Sequence, residues 1–280
     1  MTVFNTIQEI RSYVLAQKQA GKSIGFVPTM GALHRGHISL IETSKSQNDL
    51  TVCSIFVNPI QFTNPEDLAK YPQTLEADCA MLEAAGCDAV FAPSVQEMYP
   101  EPTIIKFGFG HLETVMEGKF RPGHFNGVGV VVSKLFNIIQ PDRAYFGQKD
   151  LQQTAVIRQL IKDLGFQIEL IVCDTMREGG GLAMSSRNKN ILPKHKRYSR
   201  EIYNLLTVSG VSVWAGKPVE EIQQFAQKIM GYFPEYKLEY FEIVNTNTLM
   251  PVTERQPKGQ TAICMAAYLG KVRLIDNLVF

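Results

Sequence analysis

The sequence predicts an α/β protein with a Rossmann-like, doubly wound parallel sheet and a smaller C-terminal α+β domain. Short apolar runs alternate with helical stretches as far as about residue 175, and beyond Asn188 helices are followed by grouped strands. The 280 residues, 45% of them hydrophobic, suffice for two domains. We therefore expect one domain at residues 1–178 and a second at residues 179–280.

Two apolar periodicities predict the elements of the first domain. Ile7, Ile10 and Val14 recur at helical spacing, and a short buried strand is expected at residues 24–27. An amphipathic stretch at 37–46 and an apolar run at 50–57 complete a β-α-β unit, for which parallel pairing is expected. The alternation continues with helices at 75–85, 128–139 and 151–164, and with strands at 89–92, 143–146 and 167–173.

The second domain has a different order of elements. Helical patterns at 194–206 and 219–230 precede strand-like runs at 239–244, 262–268 and 272–275. The boundary is expected near residues 175–190. There residues 178–182 contain three consecutive glycines, which predict a flexible hinge.

Charge and cysteine content exclude several classes of protein. With 28 Lys plus Arg and 27 Asp plus Glu, the chain has no global field for a polyanion or an anionic membrane, so we expect no nucleic-acid partner. No apolar run approaches the roughly 18 residues that a membrane span needs, and the first residues predict a helix, not a signal peptide. The five cysteines include no C-x-x-C pair. A soluble, cytoplasmic protein with reduced thiols is expected.

The most informative segment is residues 27–37, which ends in His34-Arg-Gly-His37 where the first strand gives way to a helix. Parallel sheets bind ligands at the carboxyl ends of their strands, and a helix N-terminus offers unpaired N–H groups. Gly31 and Gly36 let the backbone approach a ligand, and residues three apart share one helix face. The pattern predicts a phosphate site. Two exposed loop histidines are the alternative, and zinc lacks a third ligand at typical spacing.

Polar residues follow two other strands. Asn58 and Gln61 come after the second strand and offer amide groups to a small polar substrate, although an Asn-Pro pair also occurs in simple turns. Lys149 follows a later strand and is a candidate phosphate ligand, or else part of a solvated Lys-Asp pair.

Two hydroxyls and a guanidinium lie next to the glycines, at Ser185, Ser186 and Arg187. These groups match polyphosphate oxygens, and a helix-capping pair of serines is the alternative. The glycines are not a Walker loop, since no Gly-Lys-Ser/Thr sequence follows them.

In chain order, six segments between residues 24 and 190 resemble the pantoate-β-alanine ligase (pantothenate synthetase) family of the HIGH-motif nucleotidyltransferase superfamily. The segments are Phe26-Val-Pro-Thr-Met-Gly-Ala-Leu-His-Arg-Gly-His37, Phe56-Val-Asn-Pro-Ile-Gln-Phe62, Arg121-Pro-Gly-His-Phe125, Lys134-Leu-Phe-Asn137, Phe146-Gly-Gln-Lys-Asp150 and Met184-Ser-Ser-Arg-Asn188. One such segment is weak, whereas six in order are specific. The C-terminal third has no comparable signature.

The resemblance implies ATP-dependent condensation of pantoate with β-alanine, for pantothenate and coenzyme A biosynthesis. In such enzymes the pantoate carboxylate attacks the α-phosphorus to give a pantoyl adenylate and pyrophosphate, and the β-alanine amine then displaces AMP. Mg²⁺ is expected with the nucleotide, with unknown protein ligands, and Asp78 is one candidate contact. A homodimer is also expected. The first domain would bind nucleotide and pantoate, and the second would close over ATP.

The resemblance also implies roles for individual residues. His37, His34 and Lys149 are expected to be catalytic. The expected ATP-binding residues are Met30, Gly31, His34, Gly36, His37, Gly147, Gln148, Lys149, Asp150, Met176, Met184, Ser185, Ser186 and Arg187. Pantoate is expected at Gln61, Gln153 and Asn58, with β-alanine also near Gln61 and His124 as a lesser contact.

Three positions depart from the family pattern. Gln73, Gln148 and Gly180 stand where the family usually has Arg, Glu and Asp, which puts loop closure and metal placement in doubt. Three alternatives remain open at this stage: an adenylyltransferase for a phosphorylated substrate, a regulatory ATP-binding module and an aminoacyl-tRNA synthetase. The neutral Gln61 and Gln153 argue against the first, and the short, near-neutral chain against the last.

Overall fold

The chain folds around a six-stranded parallel sheet and a three-stranded antiparallel sheet. In this computed structural model the described residues are 1–254 and 256–280. They form two compact units, one of Met1–Gly147 with Val156–Cys173 and the other of Gln148–Ala155 with Asp174–Phe280. The second unit therefore includes the start of a helix that continues into the first. The expected division of roles between the domains stays a prediction.

The strands and helices have the following bounds. The strands are β1 (Thr2–Phe4), β2 (Ile24–Thr29), β3 (Leu50–Ile55), β4 (Ala89–Phe91), β5 (Arg143–Gly147), β6 (Glu169–Cys173), β7 (Tyr236–Asn245), β8 (Thr261–Leu269) and β9 (Val272–Val279). The helices are α1 (Ile7–Gln19), α2 (Arg35–Gln47), α3 (Pro65–Ala69), α4 (Leu75–Ala84), α5 (Val95–Met98), α6 (Met116–Phe120), α7 (His124–Ile139), α8 (Leu151–Leu164), α9 (Pro193–Lys196), α10 (Glu201–Trp214) and α11 (Val219–Gly231). Among the described residues, no helix combines the length and apolar character needed to cross a membrane.

The order of the parallel sheet is β1-β4-β3-β2-β5-β6, which confirms the predicted doubly wound fold. From β2 the chain builds β3 and β4 on one side, and later β5 and β6 on the other. The inner strands β2, β3 and β4 are mostly buried, as expected for strands covered by helices on both faces. The order reverses between β2 and β5, whose carboxyl ends are Thr29 and Gly147. Open α/β sheets bind ligands at such a point.

Two sequence predictions about secondary structure are wrong. The first residues are not all helical, because Thr2–Phe4 pairs in parallel with Ala89–Phe91 at the sheet edge. The helix predicted at 194–206 is two helices, α9 and α10, separated by residues 197–200. Residues 194–200 contain four Lys or Arg side chains, and like charges one turn apart disfavour a continuous helix.

The antiparallel sheet has the order β7-β8-β9, and helices α10 and α11 cover it, which confirms the predicted α+β unit. Its central strand β8 is buried almost throughout. Ile202, Leu206 and Ala226 of the helices pack in one apolar cluster with Ile263 and Met265 of β8. The fold of this unit therefore depends on apolar burial between the helices and the sheet.

Residues 178–182, predicted as a hinge, form a hydrogen-bonded turn inside the second unit. The Glu178 N–H donates to the Leu182 carbonyl at 2.8 Å, and the Gly181 N–H donates to the Glu178 carbonyl at 2.8 Å. Gly181 has a φ of 88°, and a Cβ atom there would lie 2.5 Å from Cδ1 of Tyr203. The turn thus needs glycine at this position both for its backbone angle and for its packing.

Candidate active site

The loop after β2 is held by one buried carboxylate. Gly31 and Ala32 have φ angles of 79° and 51°, and this left-handed pair turns the next amides inward. The Ala32 N–H donates to Asp78 Oδ2 at 2.9 Å and the Leu33 N–H donates to Oδ1 at 2.8 Å. The Thr74 hydroxyl donates to Oδ2 at 3.1 Å. Asp78 is 2% exposed, and these three hydrogen bonds offset the free-energy cost of burying its carboxylate. Asp78 therefore anchors the loop after β2.

His34 and His37 cap the N-terminus of α2 reciprocally. His34 has extended backbone angles, and its Nδ1 accepts the Gly36 N–H at 3.2 Å. The His37 Nδ1 accepts the His34 N–H at 3.3 Å. The ring centroids are 4.1 Å apart, so the two imidazoles lie side by side, in keeping with the shared face expected from the i, i+3 spacing.

This capping arrangement assigns the tautomer of both rings. Because each Nδ1 accepts a backbone N–H, the proton of the neutral imidazole lies on Nε2. Donation through Nε2 therefore leaves the helix cap, which uses Nδ1, in place. With the partial positive charge of the helix N-terminus, the two donors suit an anion such as phosphate.

A second polar network follows β3. Asn58 precedes the 3-10 turn Pro59–Gln61 and Gln61 ends it, and the two residues are 1% and 7% exposed. Asn58 Nδ2 donates to Gln61 Oε1 at 3.1 Å and to the Gly127 carbonyl at 3.0 Å, while Asn58 Oδ1 accepts from the Tyr99 hydroxyl at 2.9 Å. Gln61 Nε2 donates to Met30 Sδ at 3.0 Å. The geometry makes Asn58 a support for Gln61, and its predicted contact with pantoate stays a prediction.

Helix α7 fixes the other side of this turn. A Cβ atom on Gly127 would lie 2.6 Å from the backbone N and Cα of Gln61, so the two segments pack backbone to backbone. His124, 6% exposed, has Nε2 3.3 Å from Arg121 Nη1 and Nδ1 2.9 Å from the Gln61 carbonyl oxygen. Arginine only donates, so Nε2 accepts and Nδ1–H donates to that carbonyl. The sequence singled out neither Gly127 nor Tyr99, since neither belongs to a recognisable motif.

In the second unit, Lys149 lies in the 3-10 turn Gln148–Asp150. Its ammonium group is 3.5 Å from Asp150 Oδ1, and its side chain is 19% exposed. The carbonyl oxygens of Gln148 and Lys149 both accept from Asn277 Nδ2 at 2.9 Å. Gln153, the third residue of α8, is half-buried. The turn therefore carries the Lys149 cation, and Asn277 of β9 binds its backbone carbonyls.

The serine and arginine segment forms a capped turn in the same unit. Ser185 Oγ accepts the Arg187 N–H at 3.3 Å at the start of the 3-10 turn Ser186–Asn190. Ser185 therefore caps this turn, and its expected contact with phosphate stays a prediction, since a hydroxyl that accepts in a cap still has a proton to donate. Arg187 is exposed.

Met176 and Met184, two of the expected ATP-binding residues, are joined by a backbone hydrogen bond just before this turn. The Met184 N–H donates to the Met176 carbonyl at 2.9 Å. Of the other predicted nucleotide contacts, Gly36 lies in the first turn of α2, and Gly147 is the last residue of β5. The predicted residues therefore fall into two sets, one at the strand ends of the first unit and one on turns of the second.

Comparison with known proteins decides the family. A family model described as Pantoate-beta-alanine ligase matches residues 2–279. The chain belongs to this ligase family. A pantothenate synthetase from Cytophaga hutchinsonii is 49% identical over 280 residues, covering 100% of this chain and 99% of the relative. One from Bacteroides thetaiotaomicron is 47% identical over 280 residues, with the same coverage.

Solved structures of pantoate-β-alanine ligases share the whole fold. Pantothenate synthetase from Thermus thermophilus gives a TM-score of 0.93 at 40% identity and covers 100% of this chain and 99% of its own. The ligase from Francisella tularensis, described as complexed with beta-gamma ATP and beta-alanine, gives 0.82 at 38% identity, covering 100% and 97%. These comparisons confirm the predicted family, fold and enzyme class, so the chain is a ligase.

Proposed function

We propose that this ligase condenses pantoate with β-alanine to form pantothenate, using ATP and releasing AMP and pyrophosphate through a pantoyl adenylate. The observation that supports this most is the adjacent pair of imidazoles of His34 and His37, which cap the N-terminus of α2 through Nδ1, next to the switch point of the sheet. The Francisella relative, described with an ATP compound and β-alanine, supports the same substrates.

In the first step a pantoate carboxylate oxygen attacks the α-phosphorus, and the bond from that phosphorus to pyrophosphate breaks. No proton is consumed, so the imidazoles act by hydrogen bonding to the phosphoryl oxygens as their charge increases. Lys149 would hold the departing pyrophosphate with Ser185, Ser186 and Arg187. The serine hydroxyls donate and the cations neutralise charge.

In the second step the neutral amine of β-alanine attacks the acyl carbon of the adenylate. The carbon–oxygen bond to AMP breaks, an amide bond forms, and the nitrogen loses one proton to solvent. Gln61 and Gln153 would orient pantoate, with Gln61 also near the amine. Because no protein nucleophile is needed, we assign much of the rate to positioning of the two substrates.

Magnesium would enter with the triphosphate. In the described part of the chain, no three side chains among His, Cys, Asp and Glu group as a metal site. The Asp78 oxygens already accept three hydrogen bonds. These residues do not form a metal cage, and Mg²⁺ commonly relies on substrate phosphates and water. We further propose a cytoplasmic homodimer, which rests on the family resemblance.

The decisive experiment measures AMP, pyrophosphate and pantothenate with ATP plus pantoate, β-alanine or both. Pantothenate and AMP should form in equal amounts only with both substrates present. Pantoate alone should support exchange of labelled pyrophosphate into ATP, which detects the adenylate. ATP breakdown that is independent of pantoate would contradict the assignment, and product formation without the exchange reaction would contradict the intermediate.

A further inference from the structure

Near its end, the last strand of the second unit, β9, carries an amide side chain, Asn277, whose hydrogen-bonding groups are bound to other parts of the protein. Asn277 is 2% exposed. The two Nδ2 protons are directed to the carbonyl oxygens of Gln148 and Lys149, both at 2.9 Å. Its Oδ1 accepts from Gln148 Nε2 at 3.3 Å. One side chain therefore fixes two successive peptide groups of the turn that carries Lys149.

The preceding residue anchors Asn277 itself. Asp276, 3% exposed, accepts from Arg177 through two parallel bonds, Nη1 to Oδ2 at 2.6 Å and Nη2 to Oδ1 at 3.0 Å. Its Oδ1 also accepts the Asn277 N–H at 2.8 Å, and Arg177 Nη2 donates to the Asn277 carbonyl at 3.2 Å. A bidentate pair of this kind restricts both partners to one geometry.

Arg177 extends the same network to the segment that leads to Ser185. Its Nη1 donates to the Gly181 carbonyl at 2.9 Å, and its guanidinium lies 4.0 Å from the ring centroid of Tyr203. Arg177 also pairs with Ala183 through a β-bridge. Strand β9 packs against both turns, Gln148–Asp150 and Ser186–Asn190. The two turns with candidate phosphate ligands are thus tied to one short stretch of β9.

We propose that Asn277, held by the Arg177–Asp276 ion pair, is a positioning residue that sets the Lys149 turn for the ATP polyphosphate. It is buried and its amide is directed to the protein backbone, so it acts through Lys149 and not on the substrates. The proposal rests on the proposed function for the role of Lys149. It implies that loss of Asn277 weakens nucleotide binding much more than it weakens binding of pantoate or β-alanine.

The test replaces Asn277 with aspartate, which has the same shape but puts an oxygen against two carbonyl oxygens. We expect Asn277→Asp to raise the Kd for ATP at least about tenfold, by calorimetry, with the KM for pantoate within about twofold of wild type. Asn48→Asp is the matched control, because Asn48 Nδ2 also has two acceptors, the Ser44 carbonyl at 2.8 Å and the Tyr145 hydroxyl at 2.7 Å. It should lower Tm without changing ATP affinity.

A double-mutant cycle separates positioning from general destabilisation. If Asn277 acts through Lys149, the Asn277→Asp change should have little further effect on ATP affinity in a Lys149→Met background. If the fold-changes in the Kd for ATP caused by the two substitutions multiply fully in the double variant, the proposal is wrong. A Kd for ATP in Asn277→Asp equal to that of wild type would also overturn it. Asn277→Ser, which keeps one donor, should give an intermediate Kd and serves if the aspartate variant does not fold. A wild-type enzyme that binds ATP but makes no pantothenate would reject the proposed function alone.

Discussion

The two units hold their candidate site residues in different ways. In the first unit, the imidazoles of His34 and His37 are oriented by backbone amides of their own helix. In the second unit, the turn with Lys149 is oriented by Asn277, which lies 128 residues further along the chain. Local capping leaves a short sequence motif, whereas support from a distant strand does not. Motif recognition therefore finds residues that are oriented locally, but it misses distant residues such as Asn277 that support a site.

The difference extends to burial. Asn58 and Gln61 are buried and hydrogen-bonded to each other, while Arg187 is exposed on a short turn. We infer that the first unit contributes donors already in place for the transition state, and that the second contributes cations that bind the polyphosphate. Variants in the first unit should then lower kcat or weaken pantoate binding, and variants in the second should weaken ATP binding.

The largest effect is expected for His37→Ala. Removal of one preorganised donor to developing charge lowers kcat by about 100- to 1,000-fold, with a smaller change in the Kd for ATP. The variant also loses the acceptor for the His34 N–H, which costs about 1 kcal/mol of stability. Single-turnover adenylate formation measures the rate. His111→Ala, on an exposed turn of the same unit, is the control. An unchanged kcat would rule out the role given to His37.

A smaller loss of kcat is expected for Asp78→Asn. In this variant an NH₂ group replaces one carboxylate oxygen and lies against a loop N–H, so that two donors face each other. Mispairing of a buried donor costs about 1–3 kcal/mol, and the displaced loop should lower kcat about tenfold. Asp88→Asn is the matched control, because Asp88 also accepts a backbone N–H, that of Thr51 at 2.7 Å. Thermal unfolding and kcat are measured for both. Equal kinetic losses in the two variants would show that the Asp78 effect is only destabilisation.

Gly127→Ala tests the backbone contact beneath Gln61. The added Cβ cannot avoid the Gln61 backbone, so the turn must move, and the KM for pantoate should rise about tenfold, or about 1.4 kcal/mol. Gly129→Ala on the same helix is the control, because its Cβ would meet the Phe109 side chain, which can shift. Titration of pantoate at saturating ATP distinguishes the two. A normal pantoate KM in Gly127→Ala would remove Gln61 from the pantoate site.

Prediction from sequence succeeded where the physical signal is local. Buried parallel strands such as β2 and β3 are mostly apolar runs, so their positions were clear from the sequence. Strand β1 was missed because it has three residues and its Val3 is 41% exposed, so it lacks an apolar run. The magnesium contact expected at Asp78 stays a prediction, and its hydrogen bonds to the loop could not be foreseen because they depend on tertiary folding. Asn277 was not identified from the sequence for the same reason, since its contacts with Gln148 and Lys149 also depend on tertiary folding.

The smallest expected effect is that of Tyr99→Phe, which removes one hydroxyl two contacts away from the substrate. Burial raises the pKa of Tyr99, so its hydroxyl stays protonated and donates to Asn58 Oδ1 at neutral pH. Loss of this bond costs about 1 kcal/mol, and the KM for pantoate should rise about fivefold, with ATP binding unchanged. Tyr236→Phe loses a similar buried bond in the second unit, to the Tyr198 carbonyl at 2.9 Å, and should leave the pantoate KM unaltered. A larger effect on ATP than on pantoate in Tyr99→Phe would mean that the two units do not divide binding as we infer.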